Sequence, residues 1–142
     1  MLEAAILEVT AGPDPCRAAT TLLRISEEVL EHWISARGDA PTADKREGYR
    51  LLALHRQGTK GDPSFNACRE TCREIVYHYN LVTMQPGVAA NADRVEMMKM
   101  ISNHLLLFIS GKLQVAELGE FCCSSRPIRS AAEADPVSAK ET

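Results

Sequence analysis

DPSFNACRETCREIVYHYNLV, running from Asp62 to Val82, is the stretch whose reading decides the fold. Asp62 followed by Pro63 is a helix start, a side-chain oxygen to cap free N–H groups and then a residue whose missing N–H costs nothing there. From Phe65 onward, apolar groups recur at Cys68, Cys72, Ile75, Val76, Tyr79 and Val82. These are steps of three and four, or one step between neighbours on the same face, and they predict an amphipathic helix ending before the Gln85–Gly87 turn.

Three more helices are expected on either side of it. The first runs from about Asp14 or Pro15 to Ala36 and is stopped by Arg37-Gly38, with Leu22, Ile25, Val29 and Trp33 as its stripe and Leu30 widening it. A second, capped by Thr42, is expected from Ala43 to Gln57, where the turn Gly58 to Gly61 ends it. Its Leu51, Leu52 and Leu54 point in different directions, as on a helix packed on more than one side. Beyond the Asp62 helix, Asn91 is read as the cap of a helix from Ala92 to Ser110, stopped by Gly111. Met97, Met98, Ile101, Leu105, Phe108 and Ile109 make its broad apolar face, and the apolar run at its end suggests burial nearly all round. A shorter piece, Leu113 to Phe121, follows.

From Ser124 to Thr142 the chain is small, polar and proline-bearing, a composition that does not repay ordering entropy, so a flexible tail is expected there. The β-branched run near Leu7 to Thr10 is too short to build a sheet. The expected fold is therefore all-α: residues 1–123 as an antiparallel bundle of four main helices plus a short C-terminal helix, and residues 124–142 as the tail.

Composition limits function more than it assigns it. A chain of 142 residues with 45% hydrophobic and 25% charged content fits one globular domain. With only 5% aromatics, its core must rest on Leu, Ile, Val, Met and Ala. A net charge of -3 gives no global pull toward nucleic acid or acidic membrane. The N-terminus lacks a basic region and a long apolar core, and the longest apolar run, Leu105 to Ile109, is far short of the ~20 residues that span a bilayer. Five cysteines, an odd number, without a secretion signal point to a reducing, cytoplasmic setting.

Cys68 and Cys72 lie one turn apart on an apolar face, spaced C-x3-C rather than C-x-x-C, and read as small buried hydrophobes. Cys122 and Cys123 read as incidental thiols. Glu28 with His32, and Glu74 with His78, read as solvated pairs one turn apart, because metal-binding bundles use Glu-x-x-His pointing inward. His104 flanks the apolar face of its helix and reads as a boundary histidine.

Arg73-x4-His78, within REIVYHYN, resembles the R-x4–6-H signature of HEPN-type helical domains, many of which are metal-independent ribonucleases. The resemblance implies an Arg73 that holds a scissile phosphate, a His78 that moves protons and an aromatic neighbour in Tyr79. Glu74 stands where many active members carry Asn or Asp, and Arg50-x4-His55 has the same spacing. A third pattern is the basic set Lys45, Arg46, Arg50, Arg56 and Lys60, which leaves a local charge of +3 after Asp44 and Glu47 are subtracted. On a continuous helix these residues scatter around the wheel, so a solvated face is expected rather than a helix-turn-helix.

The function expected from sequence is binding: a protein-binding or regulatory module that self-associates, most simply as a two-fold dimer. Met97, Met98, Met100, Leu51 and Leu54 are its expected interaction surface. No cofactor, metal, nucleic-acid or membrane partner is expected. The alternative is a HEPN-like ribonuclease module using Arg73 and His78.

Overall fold

A computed structural model describes residues 2–60, 62 and 65–116, with the side chains of 66 and 67 left aside. They form five helices: α1 (Leu2–Glu8), α2 (Pro15–Ala36), α3 (Arg50–Gly58), α4 (Asn66–Met84) and α5 (Asn91–Ala116). There is no strand among the described residues, only an isolated bridge between Arg46 and Tyr49. The helices enclose one core, in which α5 lies against α4, α2 and α1.

The apolar stripes read from the sequence point inward. Leu22, Ile25, Val29, Leu30 and Trp33 of α2 are buried, as are Cys68, Cys72, Ile75, Val76 and Val82 of α4. Phe65, fully buried at the entrance to α4, is the aromatic hub. Its ring lies 5.2 Å from Trp33, 6.4 Å from His55 and, edge-on, 5.5 Å from Phe108, so α2, α3 and α5 meet around it. Gly58 lets α3 approach this centre. A Cβ there would come within 3.3 Å of Trp33, whose indole N–H donates to the Gly58 carbonyl.

Four boundaries differ from the sequence reading. Residues 2–8 are helical although no helix is legible there. Seven residues do not hold a helix alone, and fully buried Ile6 shows that packing against α5 and α2 stabilises it. The second expected helix begins at Arg50, not Ala43. Thr42 accepts a hydrogen bond from the Asp44 N–H in a local turn. Glu47 and Gly48 both adopt positive φ between the bridged Arg46 and Tyr49, the pattern of a tight two-residue hairpin turn. α4 has Phe65 at its N-cap without a side-chain capping bond, while the Asp62 carboxylate meets Lys112 at 3.1 Å; Pro63 and Ser64 lie outside the described residues.

α5 does not stop at Gly111 but continues to Ala116. Gly111 faces open space and costs about 1 kcal/mol in a helix, less than full burial of Leu113 returns, about 1.5–3 kcal/mol. The separate short helix from Leu113 is therefore the end of α5 as far as Ala116, and its remainder, Cys122, Cys123 and the expected tail lie outside the described residues. Asn91 closes the turn before α5, its amide donating to the Gln85 carbonyl at 2.8 Å and accepting from Arg94.

Candidate functional site

The irregular segment before α3 brings together charges that the sequence reading had scattered. Tyr49 docks it on α4, edge-on to Tyr79 at 6.0 Å and hydrogen-bonded to Asn80. Gln57 and Arg50 hold its other end: Gln57 binds the Thr42 N–H and the Ala40 carbonyl, each at 2.8 Å, and Arg50 donates to the Thr42 carbonyl at 2.9 Å. Arg50 itself turns toward α2, where it pairs with Glu31 and lies 3.7 Å from Glu27. It belongs to the scaffold and not to a basic face.

The result is a cleft of about 260 Å³ lined by Arg46, Leu52, His55, Arg56, Thr59, Arg69 and Arg73. Four guanidiniums from the 46–49 turn, α3 and α4 converge on it. Glu47 bridges Arg73 through both carboxylate oxygens, at 2.8 and 3.2 Å, and lies 3.9 Å from Arg46. The fork-to-fork contact with Arg73 holds the Glu47 carboxyl below its ordinary range. Arg56 and Arg69 make no ion pair among the described residues. A larger, more open groove of about 840 Å³ shares Arg46, Arg56 and Thr59 and adds Lys45, Lys60 and the acid Asp44.

Beneath the cleft, buried His55 directs Nε2 to the Phe65 carbonyl at 3.2 Å. Cys68 lies within hydrogen-bond reach of Cys72 and of His55, and these contacts, that with Cys72 foremost, draw its thiol down to about 6 against the opposing effect of burial. Cys72 is pushed up, because its thiol donates to Cys68 and it is buried. Both cysteines are buried and unbridged. Among the described residues no three His, Cys, Asp or Glu side chains stand so as to hold a metal ion.

Arg73 and His78 are not brought together. Arg73 is bound to Glu47 in the cleft, whereas His78 donates through Nδ1 to the Glu74 carbonyl of its own helix at 2.8 Å and faces the Glu74 carboxylate at 3.8 Å. Tyr79 is half-buried against Tyr49. The second pair with this spacing diverges too, Arg50 toward α2 and His55 into the core.

The expected interaction surface divides. Leu51, Leu54 and Met98 are fully buried in the chain's own core and present no surface; α3 is many-sided because its neighbours within the chain surround it. Met97 and Met100 are exposed at 44% and 67%, and Leu107, expected inside, is exposed at 57%. With exposed His104 and Gly111 they follow α5 in steps of three, four, three and four. No sequence signal separated Met97 from Met98; the neighbours of α5 did. No helix among the described residues is long and apolar enough to cross a membrane. Comparison with known proteins finds no family, no curated protein and no solved structure that matches this chain.

Proposed function

We propose that this chain is a cytoplasmic helical module that acts by binding, and that it binds first to a second copy of itself through α5. The observation that carries the reading is the exposed series Met97, Met100, His104, Leu107 and Gly111. Alternating steps of three and four form the seam along which one helix packs on another. With Val115, the series occupies about 80° of the helix circumference and about 27 Å of its length.

The series is self-complementary. In an antiparallel pair with its two-fold axis near His104, Met97 comes opposite Gly111 of the second copy and Met100 close to its Leu107. A flexible thioether thus meets the one position with no side chain, and the largest apolar groups meet each other. An antiparallel arrangement of α2 to α5 and a reducing setting for the odd set of cysteines complete the proposal.

Sedimentation of the reduced, full-length protein tests it. The expected mass is near twice 15.6 kDa, falling to the monomer in Met100→Glu and Leu107→Glu. Met84→Glu, an equally exposed apolar site outside the seam, should leave the dimer intact. A monomer at high protein concentration, or a dimer indifferent to both seam variants, would remove the proposal.

A further inference from the structure

The arginine-lined cleft is built from the 46–49 turn, α3 and α4, and shares no residue with the α5 seam. Four arginines line about 260 Å³, Glu47 pairs with Arg73 and lies 3.9 Å from Arg46, and the other two, Arg56 and Arg69, make no ion pair among the described residues. Like charges gathered this way repel unless an anion lies among them. Part of that role is taken by Glu47, which holds Arg73 as a fork holds an oxyanion. Glu47 does so from a left-handed backbone conformation, φ 55°, which side-chain-bearing residues seldom adopt and which costs about 1–3 kcal/mol.

We propose that this cleft binds a dianionic phosphate monoester, and that the Glu47 carboxylate is an internal stand-in which the ligand displaces from Arg73. The chemistry favours phosphate over carboxylate. With Glu47 swung aside the cleft presents four positive charges, more than a monoanion neutralises, and guanidinium forks match phosphate oxygens two at a time. Its size admits one compact group. The adjoining groove, with Lys45, Lys60, Thr42 and Gln57, leaves room for whatever the phosphate is attached to. The 46–49 turn, fixed to α4 through Tyr49, is short enough for Glu47 to move without disturbing the helices.

Titration of the full-length protein with inorganic phosphate, followed through the arginine side-chain N–H signals, tests this directly. Arg46, Arg56, Arg69 and Arg73 should shift, and acetate at equal concentration should not reproduce the effect. Binding should weaken as pH falls through about 6, where the phosphate loses its second charge. Glu47→Gln, which keeps the shape and removes the competing charge, should tighten binding at least threefold. Arg69→Ala should weaken it about tenfold with an unchanged melting curve, because Arg69 is exposed and makes no ion pair among the described residues, and Arg37→Ala should change nothing.

A phosphoserine peptide of otherwise neutral sequence and a nucleoside monophosphate, run in parallel, identify the source of the monoester by which binds more tightly than phosphate alone. No phosphate-dependent shift, equal binding by acetate, or a Glu47→Gln protein that binds no better than the wild type would overturn the proposal.

Discussion

Arg50 is the residue whose role is furthest from its appearance in the sequence. It stands within a run of basic residues, yet its guanidinium ties α3 to Glu27 and Glu31 of α2 and to the Thr42 carbonyl. Burial pushes the Glu27 carboxyl above its ordinary value of 4.5, with Arg50 pulling the other way. Arg50→Ala should therefore leave two acids facing each other and cost about 2 kcal/mol at neutral pH, whereas Glu28→Ala, exposed on the same helix, should cost less than about 0.5 kcal/mol. The sign with pH follows. An acid whose folded value is raised binds its proton more tightly when folded, so its contribution is full at low pH and is lost as pH rises above 4.5. Without Arg50 that loss steepens, and denaturant melts across this range should show the variant diverging from the wild type as pH rises. Parallel profiles would mean that Arg50 does not hold Glu27.

Between elements, the largely apolar contact of α2 with α5 contains a polar pair, Ser26 and Ser102. Ser26 donates to the Leu22 carbonyl of its own helix at 2.9 Å, so the 3.0 Å contact with Ser102 is donated by Ser102. Both are fully buried. Ser26→Ala leaves the Ser102 hydroxyl without this acceptor and should cost about 1–2 kcal/mol; Ser102→Ala should cost about 1 kcal/mol. The double variant should lose less than the two together, by about 0.5–1 kcal/mol, because neither partner is then left unpaired. Strict additivity in urea melts would show that the two hydroxyls do not interact. Single small residues such as these are invisible to periodicity. The helices themselves were legible because α2 and α4 carry long, one-sided stripes. α1 and the start of α3 were not, since a seven-residue helix and a tight turn at Glu47-Gly48 depend on what they pack against.

For the whole molecule, Trp33 is the single tryptophan and sits where α2, α3 and Phe65 meet. All five helices contribute to one continuous core, so unfolding should be one cooperative transition, with tryptophan fluorescence and far-ultraviolet circular dichroism giving the same midpoint. Separate midpoints would show that the α3 region opens on its own. The sequence by itself determined the helical class, the inward faces of α2 and α4 and the burial of Cys68 and Cys72, because each is written in a repeat of three and four residues that any core-facing helix must carry. It could not determine which apolar residues of α5 stay outside, since Met97 and Met98 differ only in which neighbour covers them. Nor could it show that Arg46, Arg56, Arg69 and Arg73 meet. They lie on a turn and two helices, and their convergence comes from the docking of Tyr49 on α4, a contact between residues 31 apart in sequence. Local pattern fixes the state of each segment; which charges share a cleft is decided only when the segments pack.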